Sequence, residues 1–177
     1  MDAISLLKKD HREVTKLFEA FEEEDGADKA QIASDRCRML TVHAQIEEDI
    51  FYPVAREAFS ADDEGDDLLD EAEVEHASAK DLIAQIEENG DSDDLFEAKV
   101  KVLGEYIKHH VKEEEGEMFP RVKQTELNLD AVGKELEKRK AELIAQLFDG
   151  EGAASAGRRP KGKVEPKGKS HGSAHRR

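Results

Sequence analysis

The sequence predicts an all-α protein: an up-down-up-down four-helix bundle with an additional C-terminal helix and a disordered tail. Three observations predict it. Apolar residues recur at spacings of three and four in five separate stretches, the period of one helix face. Short runs rich in Asp, Gly, Asn and Ser separate those stretches. Aromatic residues are only 5% of the chain while charged residues are 40%, a lean core supply that a helical bundle tolerates better than a sandwich or barrel.

The elements follow in order. Ile4, Leu7, His11, Val14, Phe18 and Phe21 form the first stripe, which Glu24-Asp25-Gly26 ends. Leu40, His43, Glu47, Ile50 and Val54 form the second, and Asp62 to Asp67, around Gly65, separates it from the third. The third carries Leu69, Ala72, His76, Ala79, Ile83 and Ile86. The run Asn89-Gly90-Asp91-Ser92 reads as a turn, with Asp91 or Ser92 as N-cap of the next helix. The fourth stripe is Leu103, Ile107, His110 and Glu114, with Met118 following. Pro53 and Pro120 fall near the ends of the second and fourth helices, where a kink or stop is tolerable. A fifth amphipathic helix is expected from about Asn128 to Phe148, on Leu129, Val132, Leu136, Leu143 and Leu147. Residues 1–148 are thus expected to form one bundle domain and residues 149–177, nearly without apolar side chains, a disordered basic tail.

Charge is segregated. Residues 149–177 hold eight Lys/Arg against three Asp/Glu, and residues 1–148 hold 19 against 40, so the tail is +5 and the body −21. A body this acidic is expected to repel nucleic acid and anionic membranes. No apolar run is long enough for a transmembrane helix. The N-terminus lacks a signal-peptide layout, and the single Cys37 cannot form an internal disulfide, so a reducing, cytoplasmic setting is expected.

Four histidines interrupt the apolar stripes: His11, His43, His76 and His110. Two are followed one turn later by glutamate, as His43–Glu47 and His110–Glu114, and the i,i+4 spacing sets each pair on one helix face. Taking the first turn near Ala27, His11 lies sixteen residues before it and His43 sixteen after. About the second turn, near Ala61, the His43–Glu47 pair is sixteen residues before and His76 fifteen after. About the third, near Asp91, His76 is fifteen before and His110 nineteen after. At about 1.5 Å per residue these positions share one level within roughly one turn. The second and fourth helices also echo each other, each with proline ten residues after its histidine.

Any one such histidine would ordinarily be a hydrogen-bonded core residue, and a glutamate at i+4 a solvated one. Four coincident levels and two matched pairs point instead to a metal site in the bundle core, most naturally for two ions. Imidazole and carboxylate without thiolate suit iron, manganese or zinc. Glu47 and Glu114 are the expected bridges, with His11 and His43 serving one ion and His76 and His110 the other. That leaves open positions for O2, NO, peroxide or hydroxide. His109–Glu113 is a competing pair, off the stripe and expected as an outer or surface feature. Glu48, Glu113 and Glu115 read as surface charges and Cys37 as a helix-interface residue. Tyr106 reads as a ligand hydrogen-bonder or a packing residue.

The ordered set Asp10-His11-Arg12, His43-x3-Glu47 with Phe51-Tyr-Pro53, Glu75-His76, and His110-x3-Glu114 with Phe119-Pro120 resembles the hemerythrin-like (HHE cation-binding) domain family, over about residues 3–145. The resemblance implies a four-helix bundle holding a non-haem di-iron centre, Fe2+/Fe3+ bridged by oxo or hydroxo, with Mn or Zn as lesser alternatives. It departs from the O2-carrying members. Where they place a fifth histidine on the third helix this chain has Lys80, read as a proton donor or a side chain snorkelling to solvent, and where they use Asp five residues after the fourth-helix histidine it has Glu114, four after. The expected function is a di-iron protein that binds or senses O2, NO or iron. The alternative is a catalase-like or ferroxidase-type enzyme at the same site. The expected partners are small ligands such as O2, NO or peroxide, with no nucleic acid and no membrane, in a monomer or weak dimer. Ferritin-like di-iron proteins use Glu-x-x-His pairs, reversed and shorter than the pairs here.

Overall fold

The computed structural model describes residues 1–23, 29–60 and 62–156. The described residues form an antiparallel four-helix bundle with a fifth helix on one face. The first bundle helix is α1 (Ala3–Glu23). The second is α2 (Lys29–Ile46), which runs through a π turn, Glu47–Phe51, into α3 (Tyr52–Ala58). The third is α4 (Asp63–Asn89). The fourth is α5 (Phe96–Glu113), again through a π turn, Glu114–Met118, into α6 (Phe119–Val122). Helix α7 (Leu129–Ala156) lies against α1 and α2. It continues past the expected end at Phe148, through the helix-favouring Ala153, Ala154 and Ala156. Residues 157–177, most of the expected tail, lie outside the described residues, as do Glu24-Asp25-Gly26.

The boundaries differ from the sequence expectation in three places, each for a local reason. Helix α4 already begins at Asp63, because Asp62 caps it by accepting the Gly65 N–H. Asp63, Glu64 and Asp66 then fall in the first turn, where the helix dipole favours acids. The turn after α4 is made by Gly90, whose φ of 53° suits glycine. A 3-10 turn takes up Gly90–Ser92, so neither Asp91 nor Ser92 caps α5. Leu95 sits at that cap, and its N–H is held by Asp93 Oδ1 at 2.8 Å. The prolines neither stop nor end their helices. Pro53 has no N–H for the Asp49 carbonyl and Pro120 none for that of Gly116. Just before each, the chain widens so that the Glu47 carbonyl accepts from the Tyr52 N–H and the Glu114 carbonyl from the Phe119 N–H.

The core is divided. One apolar cluster at one end holds Leu7, Ile46, Phe51, Ala72, Met118 and Phe119 among others. A second at the other end holds Val14, Leu40, Ala79, Ile83, Leu103 and Ile107. Along every bundle helix the chain passes from one cluster to the other through a buried histidine: Leu7–His11–Val14, Leu40–His43–Ile46, Ala72–His76–Ala79 and Ile107–His110. Burying each large side chain contributes about 1.5–3 kcal/mol, so the two clusters clamp a polar layer that would not hold itself together. Gly133 lets α7 cross the N-terminus, since a Cβ there would collide with the Met1 carbonyl oxygen.

Candidate metal centre

All six residues singled out by spacing occupy that layer. His11, His43, His76 and His110 are 2–6% exposed, Glu47 is 0% and Glu114 is 1%. None is a solvated surface group. Glu47 and Glu114 are each the first residue of a π turn, a local widening that often marks functional positions.

The Nε2 atoms and carboxylates turn inward. His11 Nε2 is 3.1 Å from Glu114 Oε2 and His43 Nε2 is 3.3 Å from Glu47 Oε2. His76 Nε2 is 3.5 Å from that same Glu47 oxygen and 3.1 Å from His110 Nε2. His110 Nε2 is 3.5 Å from Glu114 Oε2. Donors held about 2.0–2.2 Å from an ion with angles between square and tetrahedral lie about 2.8–3.6 Å apart, and these spacings fall in that range. Two overlapping sets form, His11–His43–Glu47–Glu114 and Glu47–His76–His110, each with ligand atoms within 4.8 Å of one another. Glu47 belongs to both, and Glu114 Oε2 reaches a histidine of each.

His11 Nε2, His43 Nε2, both Glu47 oxygens and Glu114 Oε2 are buried with no aligned hydrogen-bond partner. A buried carboxylate oxygen without a donor is costly, and a cation among these atoms would satisfy all of them. The donor set therefore fits a pair of metal ions. Thiolate does not compete: Cys37 lies in the second apolar cluster, where burial pushes its thiol up to about 12.

Around the inner donors runs a closed ring of carboxylates, and each helix serves the next. Asp10 of α1 faces His43 Nδ1 at 3.8 Å. Glu48, in the turn after α2, accepts from His76 Nδ1 at 3.0 Å. Glu75 of α4 accepts from His110 Nδ1 at 2.8 Å, and Glu115, in the turn after α5, from His11 Nδ1 at 3.0 Å. At His76, His110 and His11 the carboxylate on Nδ1–H fixes the tautomer and leaves the Nε2 lone pair for a metal, whereas Asp10 Oδ2 and His43 Nδ1 stand beyond hydrogen-bond distance. Three of the four acids are held by lysines: Asp10 by Lys140 at 2.6 Å, Glu48 by Lys80 at 2.6 Å and Glu115 by Lys8 at 2.9 Å. The surface reading of Glu48 and Glu115 is thereby corrected: their positions immediately after the two bridging candidates swing them across to the neighbouring helix. Lys80 acts on the site through Glu48.

The layer is electrostatically tense without metal. Burial depresses the histidines, but for His11 the carboxylates of Glu114 and Glu47 overcome it and hold the ring up at about 10. Glu114, Glu75 and Glu47 do the same for His110, at about 9. For His76 burial prevails, aided by the charges of His110 and His43, and brings it down to about 4. Burial raises Glu114, yet His110, His11 and His43 hold it well below the usual carboxylate range.

One residue without a role in the sequence reading is central. Tyr52, 1% exposed, donates its hydroxyl to Glu114 Oε1 at 2.9 Å and lies 3.3 Å from His76 Nε2. Burial, then the Glu114 and Glu47 charges, push that hydroxyl well above its ordinary value, so it stays a donor. Its place after Phe51 and before Pro53 was the available signal. Tyr106 is 49% exposed and lies outside the polar layer. His109 is also exposed, against Glu113 at 3.1 Å. Beside the four histidines is a cavity of about 20 Å³, walled by Val14, Leu40, Ala79, Ile83 and Ile107 and reached by Lys80. Holding one water takes about 10–15 Å³, so this is room for a single water or a diatomic molecule.

Comparison with known proteins agrees with this architecture. The sequence model described as "Hemerythrin HHE cation binding domain" matches residues 2–122. A crystal structure of a hemerythrin HHE cation-binding domain-containing protein from Mycobacterium kansasii superposes with a TM-score of 0.69, at 22% identity, over 84% of this chain and 90% of that one. A DNA nickase of Nostoc sp. (strain PCC 7120 / SAG 25.82 / UTEX 2576) is 27% identical over 124 residues, 70% of this chain and 34% of the nickase. The chain thus aligns with about a third of that relative's length.

Proposed function

Because this chain belongs to the hemerythrin HHE cation-binding domain family, we propose that it holds two iron ions in the bundle core and uses them to bind or sense a small ligand such as O2 or NO. His11 and His43 would serve one ion, His76 and His110 the other, with Glu47 and Glu114 across both. The observation that carries this reading is the set of buried, unpartnered inward atoms, whose histidines line a cavity of diatomic size. Bound iron would supply one-electron redox chemistry and Lewis acidity, which these side chains lack. The chain's own contribution is positioning: the carboxylate ring orients the imidazoles, Tyr52 steadies Glu114, and the apolar cavity wall limits what enters.

A second reading, disproportionation of two H2O2 to O2 and two H2O, is favoured by one observation. Lys80 lines the same cavity while its ammonium is held on Glu48, which also accepts from His76 Nδ1, so a proton donor is linked to the site through Glu48. An oxygen electrode separates the two. A lasting ligand spectrum with no O2 release from peroxide supports the binder, and O2 release abolished by His43→Ala supports the enzyme. The proposal includes a reducing, cytoplasmic setting, a monomer or weak dimer, and no nucleic-acid partner for the body of net charge −21. Strand nicking belongs to the longer Nostoc relative and is not carried over. No helix among the described residues is long and apolar enough to cross a membrane.

A further inference from the structure

The carboxylate ring is asymmetric at one position, and the group facing the carboxylate there, His109, is 60% exposed. Asp10, Glu48 and Glu115 each carry a lysine, whereas Glu75 is faced by an imidazole: His109 Nε2 lies 3.5 Å from Glu75 Oε1. The same Nε2 is 3.1 Å from Glu113 Oε1. The three ligand atoms lie within 4.8 Å of one another, and the two spacings from His109 fall in the range of about 2.8–3.6 Å expected around one ion. No Lys or Arg pairs with Glu75 or Glu113 among the described residues; Glu75 is met by His110 and His109, and Glu113 by His109. A lysine could only occupy such a place as a fixed cation, but a neutral imidazole can give its lone pair to a metal.

The placement gives these residues an outlet. His109–Glu113 repeats the His110–Glu114 spacing one residue earlier, which turns it outward: the side chains of His109, Glu113 and Glu75 are 60%, 30% and 25% exposed. His109 and Glu75 line a cleft of about 190 Å³ between α4 and α5 that His76 and His110 also line. Glu75 spans the two levels, Oε1 toward His109 and Oε2 on His110 Nδ1.

We propose that His109, Glu75 and Glu113 form an outer site for a divalent first-row cation, which captures the ion from solvent and passes it down the cleft to the buried histidines. The capture site stands on its own geometry; the hand-over rests on the buried dimetal reading. The test uses the full chain and two readouts, zinc per chain at equilibrium and the rate of ferrous uptake by metal-free protein under anaerobic conditions. Wild type is expected to hold three zinc ions, and His109→Ala and Glu113→Gln two, with ferrous uptake slowed several-fold in both variants and the same final iron content in the core. Two zinc ions in wild type and variants alike overturn the outer site while leaving the buried centre intact. A third ion that persists in His109→Ala places it elsewhere, as at His171 and His175, and also overturns it. Loss of the third ion with unchanged uptake overturns the hand-over. Fewer than two ions in wild type refute the buried centre instead.

Discussion

Replacing Tyr52 by Phe removes a single oxygen from the centre of the protein. The ring packs between Phe51 and His76, and phenylalanine keeps its volume, so no cavity opens. What is lost is the hydrogen bond to Glu114 Oε1 at 2.9 Å, between groups each 1% exposed. Hydrogen bonds to charged groups are worth about 1.5–3 kcal/mol, and the carboxylate left behind has no water to turn to. For a chain of this size each kcal/mol moves Tm by about 2–4 °C, so the metal-free variant should melt about 3–12 °C lower. The Glu114 carboxylate also loses the contact that holds Oε2 toward His11 and His110, and loss of such an outer partner typically costs about 10–100-fold in metal affinity. Urea unfolding of metal-free protein measures the first effect, and competition against a chelator the second. A stability change under about 0.5 kcal/mol together with unchanged affinity would refute the role given to Tyr52.

Other perturbations follow from the same geometry. Glu47→Ala removes the carboxylate shared by both donor sets and should abolish most iron binding; full iron content by elemental analysis would contradict the bridging role. Glu48→Gln and Glu115→Gln should each weaken metal binding by about 10–100-fold with little change in far-UV dichroism, because they unfix the His76 and His11 rings; equal affinity would show the ring to be ornamental. The metal-free protein should lose stability in alkali. Folding raises His11 to about 10 and His110 to about 9, so their contribution is full below the unfolded value of about 6.5 and vanishes as pH climbs through 9 to 10. A urea midpoint that stays flat from pH 7 to 10.5 would count against those two carboxylate contacts.

The fold was legible because helix periodicity and level are both one-dimensional signals. Counting residues from each turn to each histidine placed His11, His43, His76 and His110 in one layer, and the structure brings them there. The i,i+4 rule likewise set Glu47 and Glu114 beside their histidines. What the stripes could not show was contact between helices. Glu48 and Glu115 look exposed on their own helices, yet a π turn, invisible to a 3.6-residue period, swings each toward the next helix. Tyr52 was hidden for the same reason, since the widened turn brings Phe51 and Tyr52 both inward. Cap positions failed locally: Asp91 and Ser92 have the right chemistry for an N-cap, but the 3-10 turn uses that stretch.

Anaerobic loading of the full chain with ferrous iron, followed by removal of loosely held ions with a mild chelator and elemental analysis, tests the buried centre most directly. Near two irons per chain in wild type, and near none in Glu47→Ala, is the predicted result. Near zero in wild type with the helices intact would contradict the metal centre and leave a bundle whose inward carboxylates lack partners for some other reason.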